Sequence, residues 1–194
     1  MKVNLTIGIP VWLDKICTWP VTMYRLWKFG FPYRKIYLGE SEWAILDQQD
    51  YYTFGNFKWS LGGNGKKFYA VRGVKDEIGE IKIVRLHRQI IEAPDGLLVD
   101  HRNGNGLDNR RTNLRIATQS QNMQNRQKRK NSTSRFIGVW FVKNKNRWES
   151  RITYQGKRIW LGRFDNEIEA AKTYDAAARK YHGEFARLNF MEEI

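Results

Sequence analysis

The run Leu97–Arg126, LLVDHRNGNGLDNRRTNLRIATQSQNMQNR, constrains the chain more than any other stretch. It opens on an apolar piece, Leu97-Leu98-Val99, that reads as a short strand ending in the pair Asp100-His101. Arg102–Asn109 follows, with the Asn and Gly content of a turn or hairpin loop. A second apolar piece, Leu114–Ala117, reads as another strand. The polar segment Thr118–Lys130 reads as a helix that carries Asn122 and Asn125 on nearly one face. Strand, loop, strand and helix, with Asp-His at one end and asparagine at the other, can cage one hard cation. Oxygen ligands suit magnesium, and a histidine beside the ion suits water activation. The competing reading makes Asp100-His101 a turn pair and both asparagines helix caps. Successive strand residues point to opposite faces, so Asp100 and His101 can both face inward only at a bulge or a strand end.

Charge supplies a candidate substrate. Across 194 residues, 34 Lys and Arg stand against 20 Asp and Glu, a formal net charge of +14. That excess argues for a polyanionic partner, nucleic acid well before a membrane surface. The bases are interleaved with 8 Trp, 9 Tyr and 10 Phe, which fits a folded binder better than a disordered basic tail. Around the Asp-His pair, Arg102, Arg110, Arg111, Arg115 and Arg126 are the candidates for phosphate contact, and a solvated basic face is the alternative. One cysteine, Cys17, excludes a disulfide within the chain and argues against a thiolate zinc site, which suits a reducing, cytoplasmic setting. No apolar run approaches the ~18 residues of a membrane helix. The N-terminus is interrupted by Pro10, Asp14 and Lys15 and does not read as a signal peptide.

Four parts are expected: an N-terminal segment at 1–34, a first folded domain at 35–127, a basic linker at 128–133 and a second domain at 134–190. Pro10, Pro20 and Pro32 break the first into short pieces, a segment packed on the next domain or an arm touching phosphates. Strands are expected at Ile36–Leu38, Phe57–Leu61, Phe68–Arg72 and Ile81–Val84, with a turn cluster at Gly62–Gly65. Short helices are expected at Ala44–Tyr52 and Leu86–Ala93. In the last part Phe136–Val142, Arg147–Tyr154 and Lys157–Leu161 form an antiparallel meander. Asp165 reads as the N-cap of a helix over Asn166–His182, with Gly183 just beyond it. Ile168, Ala171, Tyr174, Ala178 and Tyr181 share one face of that helix. The fold class is α+β. His87 is read as structural, with phosphate contact the alternative, and His182 as not catalytic.

Leu86-His87-Arg88, Val99-Asp100-His101, Asn103-Gly104-Asn105, Leu107–Arg110, Asn113-Leu114-Arg115 and Gln121-Asn122 resemble the HNH endonuclease family. The branch they resemble is that of phage and intron homing endonucleases with asparagine in place of the last histidine. The resemblance implies a ββα-metal fold holding one Mg²⁺ or Mn²⁺. Carried over, it makes Asp100 and Asn122 the metal ligands and His101 the general base. It puts Asn113 at the middle position, which holds the loop and orients the histidine. Asn125, one turn beyond Asn122, is the rival second ligand.

From Ser134 a second resemblance begins. Phe136–Val139, Arg147-Trp148, Trp160-Leu161-Gly162, Phe164, Glu169-Ala170-Ala171, Tyr174-Asp175, Ala177-Ala178 and Leu188-Asn189-Phe190 are similar to the ethylene-response-factor (apetala-two type) DNA-binding domain. That family places a three-stranded sheet, backed by one helix, in the major groove. The positions it points to are Trp140, Arg147, Trp148, Arg151, Arg158 and Trp160; for Trp148, packing on the helix is the alternative. Trp140 and Val142 stand where the plant proteins often carry arginine, and Arg151 where they often carry glutamate, so their target cannot be copied.

Together the two resemblances imply a metal-dependent endonuclease on double-stranded DNA, of homing type, leaving 5′-phosphate and 3′-hydroxyl ends. One site per chain implies nicking by a monomer. The alternatives are a non-catalytic DNA-binding regulator and a restriction or structure-specific nuclease.

Overall fold

The structure, a computed structural model, describes residues 11–29, 32–65, 67–126, 128 and 132–190. Residues 1–10 of the N-terminal segment and residues 129–131 of the expected linker lie outside these residues. Two compact units emerge. One comprises Met1–Glu92 with Asn105–Leu114, the other Ala93–Gly104 with Arg115–Ile194. This division differs from the expected boundary near 128, because segments flanking the Asp-His loop group with the C-terminal part.

The first unit begins with α1 (Val11–Phe29), a continuous helix where three prolines suggested short pieces. Pro20 lies inside it on an exposed face, where the carbonyl it leaves without an N–H partner can meet water. The helix is tied down at both ends. Asp14 receives the Tyr52 hydroxyl at 2.8 Å and pairs with Arg34 at 3.2 Å, and Arg25 donates to the Tyr33 carbonyl. Next come β1 (Arg34–Gly39) and β2 (Glu42–Leu46), paired antiparallel. Ala44 and Leu46 alternate with exposed or half-buried neighbours and join Ile36 and Leu38 inside. That alternation draws Ala44 into a strand, so α2 (Gln48–Phe54) begins later than expected.

A three-stranded antiparallel sheet follows, in the order β3 (Ser60–Gly63), β4 (Phe68–Lys75), β5 (Ile81–Arg85). Gly62 and Gly63 belong to β3, not to the turn. A Cβ on Gly62 would lie 2.6 Å from the Val71 side chain across the pair. α3 (Leu86–Ile90) closes the unit's chain-order half with Leu86 and Ile90 buried. The segment Asn105–Leu114 is sewn to β2: Ile45 N–H donates to Leu107 O at 2.9 Å, and Asn109 N–H donates to Ile45 O at 2.7 Å.

The second unit opens with β6 (Leu98–His101), which pairs with β7 (Leu114–Ala117). α4 (Gln119–Gln124) starts at a capping box between Thr118 and Gln121. It is shorter than the expected Thr118–Lys130 because Asn125 leaves the helix to bond the end of β6. Then β8 (Val139–Val142), β9 (Arg147–Tyr154) and β10 (Lys157–Phe164) form an antiparallel meander in the order β10-β9-β8. Its second turn, Gln155-Gly156, has both φ angles positive, as a two-residue hairpin of this hand requires.

α5 (Glu167–His182) packs on one face of this sheet. Asn166, not Asp165, caps it, its Oδ1 accepting the Ile168 N–H at 2.8 Å. The buried face carries Ala170, Ala171, Tyr174, Ala177 and Ala178, while Ile168 stays 39% exposed. Small side chains let the helix approach the sheet. Gly138, at φ +75°, sits on Tyr174 so closely that a Cβ would fall 2.0 Å from the ring. Burial pushes the Tyr174 phenol up to about 12, with Asp175 adding to the shift. The unit as a whole is mixed α+β, with small antiparallel sheets and a three-stranded sheet backed by one helix. No helix among the described residues is long and apolar enough to cross a membrane.

Candidate functional site

Asp100 and His101 end β6, and both are buried, at 4% and 6% exposure. The strand end resolves the alternation problem: the His101 carbonyl already accepts the Gly104 N–H at 2.8 Å and turns the chain. Two side chains hold the Asp100 carboxylate. Arg115, from β7, directs Nε and Nη2 at Oδ2, at 2.8 and 2.6 Å. Asn125 directs Nδ2 at Oδ1 and Oδ2, at 3.0 and 3.1 Å.

The same Asn125 nitrogen also donates to the carbonyls of His101 and Arg102, at 2.9 and 3.2 Å. Backbone carbonyls accept and never donate, so the amide nitrogen, not the oxygen, faces the carboxylate. Asn125 is thus a clip that joins Asp100 to the turn after His101. Asn122 lies one turn earlier on α4, half-buried, with its backbone N–H bonded to Thr118 O at 2.9 Å. Its side chain makes no hydrogen bond among the described residues.

The donors present suit a hard divalent ion. Oδ2 of Asp100 is taken by Arg115, whereas among the described residues Oδ1 meets only Asn125 and retains a lone pair. The second ligand expected from the sequence, Asn122, would bring a neutral amide oxygen. Among the described residues no group of three or more His, Cys, Asp or Glu could hold a metal. An ion here would therefore rest on few protein oxygens, with phosphate and water completing its shell, as magnesium tolerates.

Asn113, in the first unit, ends a single 3₁₀ turn and is buried. Its Nδ2 donates to the Asp108 carbonyl at 2.7 Å, so it braces the loop it belongs to. The neighbouring arginines are also engaged internally. Arg110 forks onto Asp108 at 2.8 and 2.7 Å, and Arg111 onto Asp50 at 2.8 to 3.2 Å. These carboxylates raise the pKa of both guanidinium groups through hydrogen bonding. Arg115 is buried. Arg102 pairs with Glu184 at 3.2 Å on the surface, and Arg126 is exposed. Of the five arginines expected at phosphates, three are thus committed to internal carboxylates.

The meander has a second charged surface. β9 alternates, with Trp148, Ser150 and Ile152 toward α5 and Arg147, Arg151 and Thr153 away from it. Trp148 packs beside Val139, Ala170 and Ala171 and meets the Phe141 ring at a tilt of 57°, 4.9 Å between centroids. On the outer face Arg151 lies over the Trp140 ring at 4.6 Å, and Trp160, paired across from Arg151, is 62% exposed. Arg158 is exposed, and Arg147 pairs with Asp165. Arg163 was not anticipated on this face. A bulge between Trp160 and Gly162 shifts the alternation and brings it onto Glu149 at 3.0 Å. His87 meets the Tyr69 ring edge-on at 5.2 Å, and His182 Nε2 bonds the Thr153 carbonyl at 2.9 Å, so both histidines are structural.

The order of parts, a buried Asp-His strand end and then a sheet with an arginine-rich outer face, is that of a nuclease-type motif joined to a recognition-type sheet. Known proteins divide the chain the same way. The HNH endonuclease family matches residues 91–124, and the AP2 domain matches residues 134–184. An uncharacterised HNH endonuclease of Acanthamoeba polyphaga mimivirus is 29% identical over 154 residues, 78% of this chain and 76% of the viral protein. Protein 3.8 of Escherichia phage T7 is 32% identical over 55% of this chain and 91% of the phage protein. An AP2-like ethylene-responsive transcription factor of Arabidopsis thaliana is 42% identical over 32% of this chain, which spans only 13% of that factor. The chain is an HNH endonuclease-family segment fused to a C-terminal AP2 domain.

Proposed function

We propose that this protein is a metal-dependent DNA endonuclease of homing type, in which the HNH segment cuts and the AP2 domain selects the site. The observation that carries the reading is the pair of buried, adjacent side chains Asp100 and His101 at a strand end clipped by Asn125. A buried carboxylate beside an imidazole, in a chain of net charge +14, is an arrangement suited to phosphodiester hydrolysis.

His101 takes the proton of the attacking water, since imidazole titrates near neutral pH. Asp100, through Oδ1, and Asn122 would hold one Mg²⁺ or Mn²⁺ in a ββα-metal arrangement. When bound, the ion supplies Lewis-acid stabilisation to the scissile phosphate and the leaving 3′ oxygen. The Asn125 amide supports Asn122 as the second ligand, because its nitrogen is the atom turned toward Asp100. Flipping its amide would set an oxygen against two backbone carbonyls. Asn113 holds the loop that follows the Asp-His pair. On the AP2 sheet, Arg151, Arg158, Trp140 and Trp160 face outward and are the candidates for major-groove contact, with Arg147 beside them.

The test is incubation of a plasmid library carrying the natural insertion site or randomised sites, with Mg²⁺ and with EDTA. Wild type is expected to nick only with the metal, to leave 5′-phosphate ends, and to lose about 10²–10⁴-fold in rate in His101→Ala. Full activity in that variant, or the absence of metal-dependent cleavage on any DNA, would overturn the mechanism.

A further inference from the structure

The Arg115 guanidinium has two faces, and only one is used by Asp100. Nε and Nη2 hold Oδ2 of Asp100 at 2.8 and 2.6 Å. Nη1 donates instead to the backbone carbonyl of Glu184. The plane of the group lies over the Phe185 ring, 3.9 Å from its centroid. Glu184 and Phe185 belong to the single 3₁₀ turn Gly183–Phe185, which continues directly from α5 and is the end of the AP2 helix. Phe185 is itself buried, and Arg102, next to His101, pairs with the Glu184 side chain.

We infer that Arg115 is a positioning residue held in place by the AP2 domain, so that this domain completes the nuclease site as well as choosing the DNA. The inference rests on the HNH reading of Asp100. An arginine fork is planar and has fixed donor directions, so fixing one edge fixes the other. The Glu184 carbonyl and the Phe185 ring together set the plane, and the plane decides which carboxylate oxygen Arg115 occupies. With Oδ2 occupied, Oδ1 is the oxygen presented to an ion. Without the turn, the guanidinium is free to straddle both oxygens, cover Oδ1 and compete with the cation for the carboxylate. A ligand shell is only as accurate as the groups that hold it. Recognition and cleavage are then coupled through the contacts of Arg115 with Glu184 and Phe185 rather than through a flexible tether.

The experiment uses the full chain. Phe185→Leu keeps apolar volume but removes the ring from beneath the guanidinium. Arg115→Lys keeps the charge but loses the fork. Ile152→Val loosens the AP2 core without touching the turn. Hydrogen exchange is followed without metal or DNA, and single-turnover cleavage is then measured at saturating DNA over a Mg²⁺ titration. Exchange at Val99–Arg102 is expected to rise in Phe185→Leu, and exchange at Ala186 to rise reciprocally in Arg115→Lys. Exchange at Val99–Arg102 stays at the wild-type rate in Ile152→Val; Ala186 packs against the cluster that holds Ile152 and is not read in that variant. Cleavage in the first two falls between about ten- and a hundredfold with DNA affinity unchanged, and more Mg²⁺ is needed. Wild-type exchange at Val99–Arg102 in Phe185→Leu, or an equal rise in Ile152→Val, overturns the inference. A wild-type chain that cuts no DNA would remove the nuclease reading alone, because exchange still judges the brace.

Discussion

At the scale of single residues, the second unit is built on side chains whose polar or ionisable atoms are placed by burial. Asp100 is inside, yet each carboxylate oxygen has a named donor. Leaving such a charge without Arg115 costs on the order of 3–5 kcal/mol, so the ion pair is a condition of folding here as much as a source of stability. Tyr174 shows the complementary case, a neutral group kept neutral. Its phenol is pushed up to about 12 by burial, above the roughly 10 of an unfolded chain. The folded state therefore holds the proton more tightly than the unfolded one. The stabilisation is complete below the unfolded value and is lost as pH rises from about 10 toward about 12. Urea midpoints measured at about pH 9 and about pH 11 should show this decline in wild type and a smaller one in Tyr174→Phe. An identical decline in both would mean that other groups carry the alkaline sensitivity.

At the scale of elements, caps and strand ends decide where pieces stop. α5 begins at Asn166, whose side chain satisfies the Ile168 N–H, while Asp165 pairs with exposed Arg147. Asn166→Ala is expected to lower unfolding stability by about 1 kcal/mol, and Asp165→Ala by much less, since exposed ion pairs contribute little. Chemical denaturation of the two variants distinguishes them, and equal losses would mean that the cap had been misplaced. The meander was legible because its strands alternate and its turns carry Asn146, Gln155 and Gly156. β6 and β7 were legible as short apolar runs, and the Asp-His pair as something that needs a strand end. Three features were not legible, and each depends on tertiary contact. α1 runs through Pro20 because Asp14 is anchored from Arg34 and Tyr52. α4 stops early because Asp100 and two carbonyls capture Asn125. The Trp160–Gly162 bulge moves Arg163 to the outer face. Spacing also could not show that Asn125 sits just past α4 with its amide nitrogen turned to Asp100 and two backbone carbonyls.

At the scale of the whole molecule, net charge is a poor guide to which arginines meet DNA. The chain carries +14, but several of its arginines already face a carboxylate. Arg110 is forked onto Asp108, and Arg115 is buried against Asp100. Arg151 and Arg158 instead project from the outer face of the AP2 sheet. Each phosphate neutralised on duplex DNA releases condensed counterions, so log K falls with log salt at about −0.9 per contact. An arginine that meets a phosphate therefore contributes to the slope, and one committed to an internal carboxylate does not. Binding isotherms over a range of KCl concentrations, taken with His101→Ala in EDTA so that no cutting intervenes, measure the slope directly. Adding Arg158→Ala or Arg151→Ala should reduce its magnitude by about 1 wherever that side chain reaches a phosphate, or leave it unchanged and relax sequence preference where it reaches a base. Adding Arg110→Gln should change neither slope nor preference. A drop of about 1 in the slope for Arg110→Gln would show that its pair with Asp108 opens on DNA. The positive surface of the HNH segment would then take part in binding, and the division of labour between the two domains would have to be redrawn.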